Sequence, residues 1–343
     1  MHSKIEIEIE SKEPLYKQLV KSIEYLVDSG EYRSGDYVPS LNDLSSELNI
    51  SKETVKKAYS LLRKKNLLES AQGKGYYISE SKINKLNILL IFDRLGTYKQ
   101  AMFDSFSEKL GNNVEISIRL HNQDISTFER FLDDGLDNYD YYVITPHFPL
   151  IEEVQKRVVH SLGKIPNRKL LLLDHHIEGL SGNFGSVYQN YEHDVYHGLQ
   201  QGVETLKKYK KLNVISLKGS LYAPFLQKGI AKFCSDNSID YEILYQATPE
   251  DIKKNQVYLI LNGQLDKELI ELAKTAISKD YNIGSDIGII SYNESPINEM
   301  ILNGLTVLST DFYQMGEVAA NMILNKSFKK IKCDFRLVRR SSF

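Results

Sequence analysis

The chain has 343 residues, of which 42% are hydrophobic and 26% charged, and its 43 basic and 45 acidic side chains give a formal net charge of −2. These proportions are those of a folded protein, and they exclude a disordered chain, a collagen-like repeat and a uniformly basic nucleic-acid coat. The length corresponds to about two domains. The two cysteines, Cys234 and Cys333, have no C-x-x-C partner. We therefore expect neither a disulfide framework nor a thiolate metal site.

No apolar run approaches the roughly 20 residues that are needed to cross a bilayer. The first residues alternate isoleucine with charge, whereas a secretory signal has an unbroken apolar stretch after basic residues. We therefore expect a cytoplasmic protein that has no contact with a membrane.

Basic residues are concentrated near the amino terminus. Between Ser51 and Tyr76 there are seven basic residues and only two acidic ones. A concentrated cationic face attracts DNA, because each phosphate that it neutralises releases counterions. On charge alone, a solvated helix face is an equally good interpretation.

Three short helices are predicted around this basic segment. Apolar residues repeat at helical spacing from Leu15 to Val27, and Gly30 provides a stop. Ser40 and Ser51 are predicted to cap the second and third helices, because a serine hydroxyl accepts a free backbone N–H of the first turn. Only a few residues separate these two helices. This is the spacing of a helix-turn-helix, whose second helix enters the major groove by its N-terminal end.

A β-hairpin, or wing, is predicted after the third helix. Two short apolar stretches are joined there by a turn that contains Gly73 and Gly75, and glycine lets the backbone approach a phosphate closely. Lys74, at the tip, is suited to the minor groove. In the third helix, the predicted inward face is Val55, Ala58, Tyr59 and Leu62. The residues that we predict to contact DNA are Ser40, Asn42, Ser51, Lys52, Glu53, Thr54, Lys56, Lys57, Gly73, Lys74, Gly75 and Tyr76.

Residues 13–79 resemble the winged helix-turn-helix domain of the gluconate-repressor (GntR) family of transcription regulators. The resemblance rests on the segments PLYKQLVKSIEYLVDSGEYRSGDYVPS, LNDLSSELNIS, TVKKAYSLLRKKNLL and QGKGYYI. It implies that double-stranded operator DNA is a partner. The family usually has Glu-Arg at the start of the second helix, where this chain has Leu41 and Asn42. Its arginine near the start of the third helix is replaced here by Lys52, and its arginine in the wing is replaced by Lys74. Lysine keeps the charge but lacks the guanidinium fork that fits guanine edges, so the operator sequence of the family does not transfer.

Beyond residue 86, segments of strand and helix character alternate, which predicts βαβ units and parallel sheets covered by helices on both faces. Ligands of such sheets bind at the carboxyl ends of the strands. The predicted strands are 88–92, 114–118, 141–145, 170–174, 214–217, 257–262 and 287–292. The predicted helices are 125–132, 150–159, 195–206, 226–233 and 265–277.

Residues 86–343 resemble the effector domain of the lactose-repressor (LacI) family, which is itself similar to periplasmic sugar-binding proteins. The matching segments are YDYYVITP, LLLLDHHI, SVYQNYEHDVYHGLQQGVETL and, most specifically, IGSDIGIISYNESP, LTVLSTDFYQMGEVAANMIL and RLVRRSSF. The resemblance implies a two-lobed fold that closes about a hinge. It also implies that the domain binds a small-molecule effector such as a sugar. Because one small domain offers limited contact with a two-fold operator, we expect a homodimer formed largely by the effector domains.

The expected fold class is α/β. It comprises a winged helix-turn-helix domain in residues 1–80, a linker in residues 81–86 and a two-lobed domain of the periplasmic-binding-protein type in residues 87–343. Two positions depart from the LacI pattern. Leu226 and Gln227 stand where the family commonly has an arginine, and Asn262-Gly263 replaces its Asn-Asp. The arginine and aspartate side chains that often bind sugar hydroxyls in the family are therefore absent at these positions. From their positions at strand ends, the predicted effector-binding residues are Arg94, Tyr98, His147, Phe148, His175, Asn190, Tyr222, Asn262, Asn293 and Asp311.

No pattern in the chain predicts catalysis, a bound metal or a cofactor. His193 and His197 have the spacing of a zinc pair on a helix, but a third ligand is not evident. The sequence therefore predicts a repressor of carbohydrate-utilisation genes that a sugar or sugar-phosphate effector releases or repositions. One alternative is a sugar-binding protein with no role at DNA, for which an export signal is expected. The other is a regulator or enzyme with pyridoxal phosphate on a lysine, whose body is considerably longer.

Overall fold

The computed structural model describes residues 5–8, 11, 13–71, 75–79, 85–136, 138–261 and 267–343. It divides the chain into two compact units. Unit 1 comprises Met1–Leu86 and Asn112–Glu115, and unit 2 comprises Asn87–Gly111 and Ile116–Phe343. Most of the predicted linker, residues 81–84, lies outside the described residues.

Unit 1 contains the three predicted helices and the predicted hairpin. Its strands pair antiparallel, with Leu68 opposite Ile78. Its core consists of apolar residues from all of these elements, including Leu19, Leu44 and Leu62, which are fully buried. The elements are α1 (Leu15–Asp28), α2 (Leu41–Glu47), α3 (Lys52–Lys64), β1 (Leu68–Ala71) and β2 (Gly75–Ile78).

Serine caps define where α2 and α3 begin. The backbone N–H of Asp43 donates to Oγ of Ser40 over 3.2 Å, and that of Thr54 donates to Oγ of Ser51 over 3.1 Å. The turn between the two helices is tight because Asn49 adopts the left-handed conformation, with φ of 51°. The predicted inward face of α3 is fully buried. The predicted helix-turn-helix and its caps are therefore confirmed.

Unit 2 contains two six-stranded sheets, each flanked by helices, and confirms the predicted α/β class. Its strands are β3 (Leu86–Phe92), β4 (Val114–Leu120), β5 (Tyr141–Ile144), β6 (Leu170–Asp174), β7 (Gly185–Tyr188), β8 (Lys211–Ile215), β9 (Tyr241–Leu244), β10 (Gln256–Ile260), β11 (Ile287–Tyr292), β12 (Thr306–Thr310), β13 (Lys330–Lys332) and β14 (Phe335–Val338). Its helices are α4 (Thr97–Leu110), α5 (Ile125–Gly135), α6 (Glu152–Gly163), α7 (Tyr191–Gln200), α8 (Val203–Leu206), α9 (Ala223–Asn237), α10 (Lys267–Ser278) and α11 (Phe312–Leu324).

Each sheet forms one lobe. The first lobe has the strand order β13-β7-β6-β5-β3-β4, and the second has the order β14-β12-β11-β10-β8-β9. In the second lobe only β14 runs antiparallel to its neighbour, β12. The strands β5, β6 and β11 are buried along their whole length, as expected for parallel strands covered on both faces.

The chain crosses between the lobes after β7, after β12 and after β13. Hydrogen bonds join these crossovers to one another. The N–H of Asp311 donates to the carbonyl of Asp334 over 3.0 Å, and Oγ1 of Thr310 donates to Oε1 of Gln189 over 2.8 Å. Three parallel connections of this kind form the hinge of a two-lobed domain.

Every predicted strand is present in unit 2, although several ends shift by a few residues. The predicted segments do not include α4, α11, β7, β9, β12 or β13, and the single helix predicted over 195–206 is divided into α7 and α8. Cys234 and Cys333 are both free and buried. Among the described residues, no helix combines the length and the apolar character that a bilayer span requires.

Candidate functional site

The first turns of α3 present basic side chains to solvent in unit 1. Lys52, Lys56 and Lys57 are exposed, and so is Glu53, whose carboxylate lies 3.5 Å from Nζ of Lys56. Nζ of Lys57 lies 4.0 Å from the centroid of the Tyr16 ring, which holds this ammonium beside α1. The N-terminal end of the helix is thus both capped and cationic, as phosphate contact requires.

The other residues predicted to contact DNA differ in their exposure to solvent. Asn42 and Gly75 are exposed, and Gly75 has a φ of 98°, a conformation that favours glycine. Tyr76 is half-buried, and its ring packs edge-on against Tyr59 with the centroids 5.0 Å apart, so it belongs to the core of unit 1. The hydroxyl of Thr54 lies against that of Ser51 at the helix cap. The tip residues Gly73 and Lys74 lie outside the described residues.

A cavity of about 430 Å³ lies between the two lobes of unit 2, and we call it the cleft cavity. In the first lobe, its walls are the segments that follow β3, β5 and β6. In the second lobe, they follow β8, β10 and β11. It therefore occupies the carboxyl ends of the strands, where parallel sheets bind their ligands.

Four buried charged groups form the floor of the cleft cavity. Nζ of Lys99, on the first turn of α4, contacts a carboxylate oxygen of Asp93. Nδ1 of His147 lies 3.6 Å from the same carboxylate, and its Nε2 lies 3.1 Å from Oδ2 of Asp174. Gln189, on the first crossover, donates from its side-chain amide to the other oxygen of Asp174. The floor is thereby connected to the hinge.

The charges on this floor shift one another's pKa. Burial alone would raise the pKa of Asp93, but the hydrogen bond and charge of His147 and the charge of Lys99 outweigh it and hold that pKa well below its usual range. Burial alone would raise the pKa of Asp174, but the charge and hydrogen bond of His147, together with the charge of Lys99, lower it. Burial alone would lower the pKa of His147, but the charges and hydrogen bonds of Asp174 and Asp93 together raise it. The two carboxylates thus favour the protonated form of His147, which joins Lys99 as a second cation of this network.

Aromatic rings line the wall between the lobes. The ring of Tyr222 stacks on that of Tyr191, with the centroids 4.3 Å apart, and it lies 4.9 Å from His147 and 5.0 Å from His175. His147 and His175 belong to the first lobe, whereas Tyr222 caps α9 in the second. Contact between the lobes is thus made by rings, whose flat faces suit the apolar face of a sugar.

Several polar atoms around the cleft cavity are buried and have no hydrogen-bond partner in the described part of the chain. Apart from Nε2 of His147 and Oδ2 of Asp174, which face each other in the floor, they are the hydroxyls of Tyr222 and Tyr292 and Oδ1 of Asn293. A buried polar group without a partner costs about 1–3 kcal/mol, so such groups call for a ligand or water. Two hydroxyls and an amide oxygen are the complement of a ligand rich in hydroxyl groups.

Of the residues predicted to bind an effector, Arg94, Tyr98, His147, Tyr222 and Asn293 line the cleft cavity. At its mouth the guanidinium of Arg94 donates to Oε1 of Gln123 over 2.8 Å. The ring of Tyr98 packs on that of Phe312, with the centroids 4.5 Å apart. These side chains come from both lobes.

The remaining predicted residues lie elsewhere. Phe148 is fully buried in the core of the first lobe, where it stacks on His121 at 4.3 Å, because the chain turns inward directly after His147. Asp311 caps α11 by accepting from the N–H of Gln314 over 2.9 Å. His175 and Asn190 line a neighbouring cavity, and Asn262 lies outside the described residues.

Five residues that line the cleft cavity were not predicted from the sequence: Asp93, Lys99, Asp174, Gln189 and Tyr292. A signal existed for two of these residues, because Asp93 follows β3 and Asp174 ends β6, each one position before a predicted residue. Asp174 also adopts a φ of 72°, which turns the backbone at the strand end. Nothing in the sequence indicated that the ammonium of Lys99 is buried.

The pair considered for zinc lies on α7. The rings of His193 and His197 have their centroids 4.1 Å apart, and Nζ of Lys332 lies 3.1 Å from Nδ1 of His193. An ammonium at that distance competes with a metal ion. Within the described ranges, no group of three or more His, Cys, Asp or Glu side chains could hold a metal ion.

Comparison with known proteins identifies the amino-terminal domain. Residues 15–78 match the family described as bacterial regulatory proteins, gntR family. The mannosyl-D-glycerate transport/metabolism system repressor MngR of Escherichia coli (strain K12) is 32% identical over 99 residues, which cover 29% of this chain and 36% of the relative. The chain thus spans little more than a third of that relative. Unit 1 carries a GntR-family helix-turn-helix domain.

Solved structures identify the fold of the remainder. The trehalose repressor from Escherichia coli has a TM-score of 0.59 at 12% identity and covers 74% of this chain and 99% of its own. A LacI family transcriptional regulator from Lactobacillus casei with bound sucrose has a TM-score of 0.58 at 13% identity. The match covers 75% of this chain and 99% of that regulator. Unit 2 has the fold of LacI-type regulators, which resembles that of periplasmic binding proteins.

Proposed function

We propose that this chain is a ligand-responsive transcriptional repressor of carbohydrate-utilisation genes. Unit 1 binds operator DNA through the N-terminal end of α3, and unit 2 binds a sugar or sugar phosphate in the cleft cavity. The observation that carries the proposal is the set of unpartnered buried polar atoms in that cavity, on Tyr222, Tyr292 and Asn293. They occur in a chain whose amino-terminal domain has a capped, cationic α3.

A hydroxyl-rich ligand fits both the polar and the aromatic parts of the cleft cavity. Asp93 and Asp174 offer carboxylate oxygens that accept from sugar hydroxyls, and the ammonium of Lys99 donates. The ring of Tyr222 offers a flat apolar face. The names of similar proteins support this ligand class, since one is a repressor of a mannosylglycerate system and another was solved with sucrose.

The hinge provides a physical route from effector to DNA. A ligand held by both lobes favours the closed state, and a conformational change requires such a difference in affinity between two states. Gln189 connects the floor of the cavity with the hinge through Asp174 and Thr310. In a homodimer formed by effector domains, closure changes the separation of the two copies of unit 1. A two-fold operator is then bound less tightly.

The family and the fold indicate a DNA-binding regulator rather than an enzyme. The roles that we propose for the floor residues are those of ligand contacts. Asp93, Lys99, His147 and Asp174 pair with one another, and the carboxylates and the ammonium keep further acceptor and donor capacity for a ligand.

The test begins with selection of DNA fragments that the full chain binds, from sheared genomic DNA of the source. Fluorescence anisotropy then measures affinity for the selected site in the presence of monosaccharides, disaccharides and their phosphates. We expect at least one compound to weaken binding to the selected site while leaving binding to random DNA unchanged. Selection of no preferred fragment, or no response to any sugar, would contradict the proposal.

A further inference from the structure

A second cavity, of about 630 Å³, lies beside the cleft cavity in unit 2, and we call it the side cavity. Among the described residues, only Gln189 and Tyr191 line both cavities. The stacked rings of Tyr191 and Tyr222, with His175 against Tyr222, separate them. The side cavity is therefore a compartment of its own, and the sugar proposed above does not account for it.

Rings form much of the lining of the side cavity. Phe225, at its rim, is 38% exposed although it is a large apolar side chain. The rings of Tyr188 and His176 lie against each other with the centroids 5.4 Å apart. An aromatic lining of this kind binds apolar rings and, through the negative faces of the aromatic groups, organic cations. The aromatic residues and histidines of the lining are His175, His176, Tyr188, Tyr191 and Phe225.

The charges of the side cavity favour a cation. In the described part of the chain, its lining contains the carboxylates of Glu178 and Glu192 and no lysine or arginine. Glu192 forms an ion pair of 2.9 Å with Lys228, whereas Glu178 has no ion pair among the described residues. The cleft cavity differs, since Arg94, Lys99 and Lys218 are all part of its lining.

The two histidines of the side cavity do not oppose a cation. Burial, together with the charge of His147, lowers the pKa of His175 to about 3, so its imidazole is neutral. Burial also lowers the pKa of His176, and Lys330 adds to this effect. Nδ1 of His176 is buried and has no hydrogen-bond partner in the described residues. In the tautomer protonated at Nε2, that atom accepts a hydrogen bond from an N–H donor.

We propose that the side cavity binds a protonated amine attached to an apolar ring. The ring packs among Tyr188, Tyr191 and Phe225, the ammonium lies near Glu178, and one N–H donates to Nδ1 of His176. Because Gln189 and Tyr191 also line the cleft cavity, the amine acts as a second effector that alters the affinity for the first.

Direct binding to the full chain tests this proposal with three probes of similar shape and different charge. The probes are 2-phenylethylamine, the neutral 2-phenylethanol and the anionic 3-phenylpropanoate, each titrated at pH 7.5 by isothermal calorimetry. We expect the amine to bind about five- to tenfold more tightly than the alcohol, and the carboxylate to bind more weakly than both. Equal affinity of amine and alcohol, or no binding of the amine, would overturn the proposal.

Variants locate the site. Glu178→Gln should reduce the advantage of the amine over the alcohol to less than twofold, while Phe225→Ala should weaken both ligands. Both side chains lie on the surface of the fold, so neither change threatens folding. The control is Glu204→Gln on α8, which removes the same charge from an exposed position outside the lining and should leave both affinities unchanged. An unaltered amine preference in Glu178→Gln refutes the assignment. No sugar or DNA enters the measurement, so binding of the amine is tested independently of the proposed function, on which only its role as a second effector rests.

Discussion

Asp93 and Lys99 depend on each other because both side chains are almost completely buried, at 6% and 2% exposure. Asp93→Asn removes the carboxylate and leaves the ammonium of Lys99 buried without its main partner. We expect a loss of about 3–5 kcal/mol in the free energy of unfolding, measured by urea titration followed by circular dichroism. The double variant Asp93→Asn with Lys99→Met should recover most of this loss. A single variant as stable as the parent would show that the pair is not coupled.

The pKa of His147 leads to a prediction about pH. Its pKa in the folded state is raised above the ordinary value of 6.5, so protonation of His147 stabilises the fold. This contribution is complete below pH 6.5 and is lost as the pH rises through the raised pKa. The free energy of unfolding of the parent should therefore exceed that of His147→Gln most at pH 6, and the difference should narrow towards pH 9. A difference that is constant over this range would contradict the assigned protonation state.

The sequence predicted where the floor of the cleft cavity lies, but it identified few of the residues that form it. Strand ends direct side chains into the cleft, which was enough to select Arg94, His147 and Asn293. The same reasoning selected Phe148, which the backbone turns into the core, and passed over Lys99, which lies on a helix. Burial of an ammonium depends on carboxylates from two other strands, and such long-range pairing leaves no local pattern in a single chain.

Among the elements, α3 is the one on which DNA binding depends. Replacement of both Lys52 and Lys56 by Ala should weaken binding to every DNA sequence and make the slope of log affinity against log salt concentration shallower by up to about two. Fluorescence anisotropy at several salt concentrations measures both effects. The matched control is the double change of Arg63 and Lys64 to Ala, which removes the same charge from the last turn of α3. If both variants lose the same slope, the N-terminal turns have no special role.

The packing of α4 against α11 depends on a glycine. A Cβ at Gly316 would lie 2.2 Å from the carbonyl oxygen of Met102 and 2.1 Å from Oγ of Ser105. Gly316→Ala should therefore destabilise unit 2 by about 1–3 kcal/mol in urea unfolding. Gly163→Ala, at the end of α6, introduces the same methyl group where no atom lies within 4 Å, and it should not destabilise the protein. Equal effects of the two changes would mean that α4 and α11 can move apart without a loss in the free energy of unfolding.

This packing also explains why α4 was not predicted. Its buried residues include Lys99 and Ser105 beside Met102 and Phe106, so the apolar face that would indicate a helix is interrupted. The helices of unit 1 have continuous apolar faces, and serine caps mark the starts of α2 and α3, so all three helices were predicted. Periodicity indicates a helix well when one face meets an apolar core, and poorly when that face also carries the polar groups of a site.

For the whole molecule, the proposed function requires reciprocity between its two ligands. If an effector lowers the affinity for operator DNA by some factor, the operator lowers the affinity for that effector by the same factor. A sugar found in the anisotropy screen can be titrated by calorimetry into the free chain and into the chain bound to operator, and the two factors should agree. Disagreement beyond experimental error would show that the sugar acts on a species other than this complex.

The last strands of unit 2 bear on how it is made in the cell. The edge strand β13 belongs to the sheet of the first lobe and β14 to that of the second, and Ser342 is fully buried where its hydroxyl accepts from the N–H of Thr306. Synthesis from the amino end therefore leaves both sheets incomplete until these late residues emerge from the ribosome. A premature stop codon before residue 330 would damage both lobes at once, and the truncated product should become a substrate for proteases although nearly all of its sequence is intact.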